Sequence, residues 1–246
     1  MHAAFRASAD SVLSVLLASS CAACAQLLEH PTLGPVCEHC WRSILPLTPP
    51  LCDRCGDPLP ACRTISVPLA LCPRCRRGRG HVDRARAIGG YDGSLRAIVH
   101  ALKYEGRRSL ARPLAAMMSA RGADMLAGAC WVVPVPLHPS RRRERGFNQA
   151  ADLARHLGAP MRQVLRRHRA TSTQTGLPAG QRHRNVRGAF ALTGRREGLA
   201  DSVVVLVDDV STTGATLEAC ARVLKEAAGV REVRALTAAR VVTPPR

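Results

Sequence analysis

Between Val203 and Thr216 the chain reads VVVLVDDVSTTGAT. Five apolar residues run without polar alternation into two adjacent aspartates, a pattern typical of a strand buried on both faces of a parallel sheet. A Ser/Thr/Gly loop follows, and a helix is predicted from Gly214 to Ala228, with Gly229 as its C-cap. Open parallel sheets bind ligands at the carboxyl ends of their strands, so Asp208 and Asp209 are predicted to lie at a ligand site.

The chemistry of this loop predicts a sugar phosphate as its ligand. Backbone N–H groups and the helix dipole converge at a helix N-terminus, where they favour an anion. The two aspartates would accept hydrogen bonds from sugar hydroxyls or help to hold Mg²⁺, so ribose 5-phosphate fits. No Walker lysine is present, and the simpler alternative is an aspartate N-cap followed by an ordinary turn. The predicted site residues are Asp208, Asp209, Ser211, Thr212, Thr213, Gly214, Ala215 and Thr216.

From about residue 85 onward, short apolar runs alternate with helical patterns. Strands are predicted at Ala85–Tyr91, Trp131–Leu137, Ser202–Val210 and Glu232–Val241, and helices at Leu95–Tyr104, Gly146–Leu157 and Gly214–Ala228. An arginine-rich loop is predicted directly after the Trp131–Leu137 strand. The order strand–helix–strand favours a right-handed parallel α/β domain, assigned to residues 81–246.

Eight of the 11 cysteines form four Cys-x-x-Cys pairs between residues 21 and 75. Two such pairs complete a four-coordinate zinc site, and because cysteine fills every position the two predicted zinc ions are structural. A redox dithiol is the competing interpretation. Sequential pairing gives one site of Cys21, Cys24, Cys37 and Cys40 and another of Cys52, Cys55, Cys72 and Cys75, although interleaved pairing remains open.

The charge of the chain favours anionic partners. Lys and Arg number 36 against 18 Asp and Glu, which gives a net charge of +18, and such a protein attracts polyanions, phosphates or anionic lipid surfaces. Between Arg141 and Arg187, twelve arginines accompany two acidic residues. Nucleic-acid phosphates suit this stretch, but a solvated arginine surface would have the same composition.

The N-terminal stretch VLSVLLASSC (Val12–Cys21) superficially resembles a targeting segment. Its apolar run is only seven residues long, is interrupted by Ser14 and follows Asp10, so a short amphipathic helix is favoured over a targeting signal. Nothing in the chain approaches the roughly 20 apolar residues of a membrane span. Paired cysteines with metal-ligand spacing suit a reducing compartment, and a cytoplasmic location is predicted.

Several segments resemble a known family. VLVDDVSTTGAT (Val205–Thr216) resembles the phosphoribosyl pyrophosphate (PRPP) motif of type I phosphoribosyltransferases. The ComF (competence protein F) family is matched by YDGSLRAIVHALKYEG (Tyr91–Gly106), by VVPVPLHPSRRRERGFNQAADLA (Val132–Ala154) and by the region from Gln174 to Phe190. The resemblance implies a type I phosphoribosyltransferase-like parallel sheet flanked by helices. It also implies that residues 1–80 hold an N-terminal helix and a double zinc ribbon.

The resemblance also implies roles for residues outside the PRPP motif. PRPP would bind with Mg²⁺, and its pyrophosphate would lie near Lys103, Arg145, Gly146 and Arg182. Arginines beside a tight turn suit a pyrophosphate because guanidinium groups make bidentate, charge-assisted hydrogen bonds. For Lys103 and Arg182 a solvated surface charge is the alternative, and His138 and His183 are candidate acids or bases.

The resemblance implies two alternative functions. The first is a PRPP-binding protein linked to DNA uptake, which would bind single-stranded DNA through Arg141, Arg142 and Arg143 and would have the uptake machinery as a partner. The second is an active phosphoribosyltransferase that moves ribose 5-phosphate from PRPP to an acceptor. No segment resembles a hood for a particular nucleobase, so the sequence leaves this acceptor open.

Overall fold

The computed structural model describes residues 19–60, 70–78, 80–169, 186 and 188–242, and the predicted N-terminal helix lies outside them. The strands are β1 (Arg84–Gly90), β2 (Trp131–Pro134), β3 (Leu165–Arg167), β4 (Phe190–Leu192), β5 (Val203–Ser211) and β6 (Glu232–Arg240). The helices are α1 (Glu38–Arg42), α2 (Pro73–Arg77), α3 (Gly93–Tyr104), α4 (Ala111–Arg121), α5 (Ala123–Leu126), α6 (Pro139–Arg145), α7 (Gln149–Ala154) and α8 (Ala215–Ala228). Single 3-10 turns occur at Pro31–Leu33 and Arg108–Leu110.

Four strands form one parallel sheet in the order β1-β6-β5-β2. The apolar half of β5, residues 203–207, is buried, because helices or a hairpin cover both faces of the sheet at this strand. The register places Asp208 beside Thr237 of β6 and Ser211 beside Arg240. The predicted buried central strand is therefore confirmed, and its two aspartates lie at its carboxyl end.

Two apolar layers sandwich the sheet. On one face, α3, α4 and α7 pack against alternate side chains of β5, among them Val205 and Val207. On the other face, Leu206 of β5 packs with α8 and with an antiparallel hairpin of β3 and β4. The predicted parallel sheet flanked by helices is confirmed. None of the helices in the described part of the chain has the length and apolar character needed to cross a lipid bilayer.

The arginine-rich segment after β2 is a helix, α6, and the prediction of a loop there was wrong. Pro139 occupies its first turn, and the His138 ring caps it by accepting a hydrogen bond from the Ser140 N–H. Gly146 ends α6 in the left-handed conformation at φ 76°, and the next helix begins only after Asn148, whose side chain accepts from the Ala150 N–H. The predicted Gly146–Leu157 helix is accordingly shortened to α7.

The eight paired cysteines form two clusters in the sequential arrangement. Within each cluster, the four sulfur atoms all lie within 4.8 Å of one another. The first cluster contains Cys21, Cys24, Cys37 and Cys40, and the second contains Cys52, Cys55, Cys72 and Cys75.

The geometry of both clusters fits zinc. The Sγ atoms of Cys24 and Cys37 are 3.9 Å apart, and those of Cys55 and Cys72 are 3.6 Å apart. A tetrahedral zinc ion with Zn–S bonds near 2.3 Å separates its sulfurs by about 3.8 Å. In the first cluster the Cys37 N–H points at the Cys21 sulfur, at 3.3 Å, an arrangement that stabilises a thiolate.

The two clusters dock on the sheet in different ways. Cys21 and Cys40 of the first cluster belong to the apolar layer that contains α3 and α4. The second cluster meets β1 through its backbone, because the Ala85 N–H donates to the Arg54 carbonyl at 2.6 Å. Gly56 is needed at this contact, since its φ is +72° and a Cβ there would lie 2.6 Å from the Ala85 oxygen.

We expect the purified, reduced protein to hold two zinc ions per chain. Replacement of one cluster cysteine, for example Cys75→Ser, should release one ion and lower the melting temperature, because binding energy at a closed Cys₄ site is also folding energy. Metal analysis combined with thermal denaturation measures both effects. The exposed Cys130 lies outside the clusters, so Cys130→Ser is the control and should keep two ions. A wild-type content of zero or one zinc would contradict the two-site arrangement.

Candidate functional site

The carboxyl end of β5 leads through a short loop into α8. Gly214 takes the left-handed conformation at φ 77° and is the N-cap of the helix. The Thr213 hydroxyl accepts a hydrogen bond from the Ala215 N–H at 3.4 Å. The left-handed turn at Gly214 therefore starts α8 only six residues after Asp209, and the first turn of the helix lies at the same edge of the sheet.

Lys103, from the last turn of α3, pairs with Asp209. Its Nζ lies 2.8 Å from Oδ1 of Asp209, and the two side chains are only 13% and 11% exposed. Burial alone would lower the pKa of Lys103, but the Asp209 and Asp208 carboxylates outweigh it and the pKa is raised. Lys103 is thus a largely buried cation that is paired with Asp209 of the predicted site.

Asp208 has different surroundings from its neighbour, because successive strand residues point to opposite faces of a sheet. Its pKa is raised to about 7, first by burial and second by the charge of Asp209. Cys220 of α8 and Arg167 of β3 lie close enough to interact with it electrostatically, and its Oδ1 accepts from the Asp209 N–H at 2.9 Å. Near neutral pH, Asp208 can therefore either accept or donate a hydrogen bond.

Arg145 and Gly146, which close α6, lie beside the end of α3. The Arg145 guanidinium stacks over the Tyr104 ring, 4.8 Å from its centroid, and donates to Oε1 of Gln149 at 3.2 Å. Tyr104 directly follows Lys103 in the chain, so Arg145 contacts the same turn of α3 that supplies Lys103. Sequence reasoning missed Tyr104 and Gln149, although Tyr104 is one of only two tyrosines in the chain.

The remaining predicted candidates fall into two groups. His138 caps α6, with its Nδ1 2.7 Å from the Ser140 hydroxyl, and this contact explains the residue without acid–base chemistry. Arg182 and His183 lie outside the described residues, as does most of the Gln174–Phe190 region.

A basic cleft of about 590 Å³ lies between α6 and β3. Its lining includes Arg142 and Arg143 of α6 and Arg166 of β3, all of which are exposed, together with Arg167. Arg141 is half-buried. The cleft presents several guanidinium groups to solvent and can accept a phosphate-bearing ligand.

Two protein families match parts of the chain. A double zinc ribbon domain matches residues 12–76, and a phosphoribosyl transferase domain matches residues 143–243. The first range includes both cysteine clusters, and the second includes β5, the loop and α8. The parallel sheet and the two clusters therefore have the architecture that the sequence predicted.

Curated relatives match most of the chain. Competence protein F of Haemophilus influenzae is 31% identical over 83% of this chain and 90% of its own length. DNA utilization protein YhgH of Salmonella typhimurium is 35% identical over 77% of this chain and 83% of its own length. Competence protein ComFC of Bacillus subtilis is 27% identical over 82% of both chains. The chain belongs to the ComF (competence protein F) family.

Proposed function

We propose that this chain binds PRPP, together with Mg²⁺, at the carboxyl end of β5. The observation that carries the proposal is the Lys103–Asp209 pair, which sets a buried cation and two carboxylates beside the loop that opens α8. PRPP carries a phosphate at one end, a pyrophosphate at the other and hydroxyls between them. Such a ligand needs hydrogen-bond donors for the phosphate at one end and the pyrophosphate at the other, with acceptors for the ribose hydroxyls between them. The match to a phosphoribosyl transferase domain supports this choice.

Each part of the ligand has a proposed partner. The 5-phosphate would bind the Thr212–Thr216 loop, and the ribose hydroxyls would donate to Asp208 and Asp209. The pyrophosphate would lie on the side of Lys103, Arg145, Gly146 and, outside the described residues, Arg182. Carboxylates suit Mg²⁺ directly or through water, and the ion would supply positive charge to the pyrophosphate.

Transfer to an acceptor is a second candidate activity. An acceptor nucleophile would displace pyrophosphate from C1 of the ribose, and the residues named above would position PRPP and stabilise the leaving charge. No catalytic residue is assigned. Pyrophosphate release from PRPP, measured with a panel of nucleobases, would separate turnover from binding alone.

We also propose that the chain handles single-stranded DNA in the cytoplasm, as a component of DNA uptake. The relatives are named for competence and DNA utilization, and the cleft with exposed Arg142 and Arg143 is an observation on this chain that favours a polyanion. Aromatic residues make up only 3% of the chain, so contacts to phosphates would dominate over base stacking. The DNA-uptake machinery would then be the protein partner.

Removal of the acidic pair should abolish PRPP binding. Asp209→Asn is expected to weaken binding at least tenfold, since it removes a charge-assisted acceptor, and Asp208→Ala with Asp209→Ala should leave no measurable binding. Calorimetry with PRPP and Mg²⁺ is the measurement, with zinc content as a check on folding. Asp201→Asn replaces a carboxylate that is 84% exposed and is the control. If the double variant bound PRPP with wild-type affinity, the assignment of Asp208 and Asp209 to the ribose would be wrong.

Asp208→Asn should stabilise the protein in a pH-dependent way. Folding raises the pKa of Asp208 from its ordinary 3.8 to about 7, so ionisation of this group destabilises the fold progressively as the pH rises through that interval. Asparagine stays neutral. The stability gained over wild type should therefore be larger at pH 8 than at pH 5 by about 2 kcal/mol.

Urea denaturation at several pH values measures this difference. Asp201→Asn serves again as the control, because it replaces an exposed carboxylate. A gain for Asp208→Asn that stays flat or shrinks toward pH 8 would show that Asp208 carries no buried charge.

Binding of single-stranded DNA should fall steeply with salt. Each phosphate neutralised on a single strand contributes about −0.7 to the slope of log affinity against log salt. Replacing Arg141, Arg142 and Arg143 with Ser should flatten the slope and weaken binding alike for all sequences, as measured by anisotropy of a labelled oligonucleotide. No binding at low salt would reject the DNA proposal. If PRPP competes with single-stranded DNA, the two ligands use the same arginines.

A further inference from the structure

The second cysteine cluster reaches the loop before α8 through Arg74. This residue lies between Cys72 and Cys75, within α2, and its Nη1 donates to the Thr213 carbonyl at 3.0 Å. Its Nη2 lies 3.2 Å from Oδ2 of Asp57. One guanidinium group thus bridges the zinc ribbon and the loop.

Asp57 provides a second connection to the same loop. Its Oδ1 accepts from Nε of Arg240, a residue of β6 that is only 3% exposed. Arg240 lies beside Ser211 in the sheet, and the next N–H, that of Val241, donates to the Ser211 carbonyl at 2.9 Å. Asp57 therefore binds two arginines, one of which contacts the middle of the loop while the other lies beside its start.

The cluster itself fixes Asp57 and Arg74. The Cys52 N–H donates to the Asp57 carbonyl at 2.7 Å, and the Gly56 N–H donates to the Cys52 carbonyl at 2.8 Å. Both bonds close the turn that presents Cys52 and Cys55. Arg74 sits inside the other cysteine pair of the same cluster, so the position of its backbone depends on those thiols being held together.

Among the described residues, apolar packing does not fill the space between the second cluster and the start of α8. A cavity of about 260 Å³ lies there, lined by Cys75, Val82, Thr213, Leu217 and Arg240, among others. Because this space is open, polar bonds from Arg74 and Asp57, rather than apolar contacts, connect the ribbon with the loop here.

The bond to Thr213 also has a direction. The Thr213 carbonyl and the Gly214 N–H belong to one planar trans peptide, in which oxygen and hydrogen point to opposite sides. A cation that holds the carbonyl toward the ribbon therefore turns the Gly214 N–H away from the ribbon. Gly214 follows in the left-handed conformation at φ 77°, and its N–H is one of the donors that a phosphate in this loop would use.

We propose that Arg74 is a positioning residue for the phosphate loop, and that the second cysteine cluster sets the affinity of this loop for a phosphate monoester through Arg74 and Asp57. The inference rests on the proposed function, since it concerns the same loop. It assigns to the ribbon a role beyond its own folding. The first cluster, which packs in the apolar layer with α3 and α4, has no part in it.

Arg74→Ala tests the proposal by calorimetry with two separate probes. Affinity for ribose 5-phosphate should fall about tenfold, because a charged hydrogen bond that orders the loop is lost. Affinity for Mg²⁺-pyrophosphate, whose proposed partners are Lys103 and Arg145, should stay unchanged. Arg76→Ala is the matched control. Arg76 lies in the same short helix, but its Nε donates to the Leu71 carbonyl at 2.9 Å, inside the ribbon.

Zinc content and melting temperature are measured for each variant. Wild-type affinity of Arg74→Ala for ribose 5-phosphate overturns the inference and leaves the proposed function intact. Failure of the wild type to bind ribose 5-phosphate rejects the proposed function itself. If Arg74→Ala loses zinc, Arg74→Lys replaces it, because lysine keeps the cation but cannot reach Thr213 and Asp57 with two fixed donors. An affinity of Arg74→Lys below that of the wild type, with zinc content unchanged, would then support the inference, and wild-type affinity would overturn it.

Discussion

Two adjacent carboxylates follow the apolar run of β5 near its carboxyl end, and the site is organised around the free energy of removing them from water. An unpaired charge in such surroundings costs several kcal/mol. Asp209 offsets this penalty with Lys103, 2.8 Å away, whereas the pKa of Asp208 rises to about 7. The pair makes α3 part of the site, and Tyr104, the next residue, brings in Arg145. A pKa shifted by burial and by a neighbouring charge is typical of binding and catalytic sites.

The sequence predicted those features whose cause is local. The apolar run of β5 needs cover on both faces wherever it lies, and four Cys-x-x-Cys turns bind metal in nearly any fold. The bounds of β1, α3, β5, α8 and β6 were accordingly predicted within two residues of those observed. Gly214 and Gly229, both at positive φ, mark the ends of α8 because few other residues adopt that conformation without strain.

Features that depend on tertiary contacts, and elements that are too short or too polar to show hydrophobic periodicity, were missed. Helix α6 has no apolar face, and its proline, its histidine cap and Gly146 hold it instead, so hydrophobic periodicity gave no signal. The strands β3 and β4 have three residues each, which is too short for alternation to be recognised. Arg74 and Thr213 are 139 positions apart, and no local pattern connects an arginine between two cysteines with a distant loop.

Both cysteine clusters of the double zinc ribbon are bonded to or packed against the domain that contains the sheet. A segment as short as the ribbon buries only a modest fraction of its apolar surface by itself. It gains stability from metal and from the sheet, with Cys21 and Cys40 in the layer of α3 and Arg54 bonded to β1. In turn, Arg74 of the ribbon donates a hydrogen bond to the Thr213 carbonyl, in the loop that would bind phosphate. Any coupling between metal and ligand through this contact must act in both directions, because the two binding free energies share one folded state.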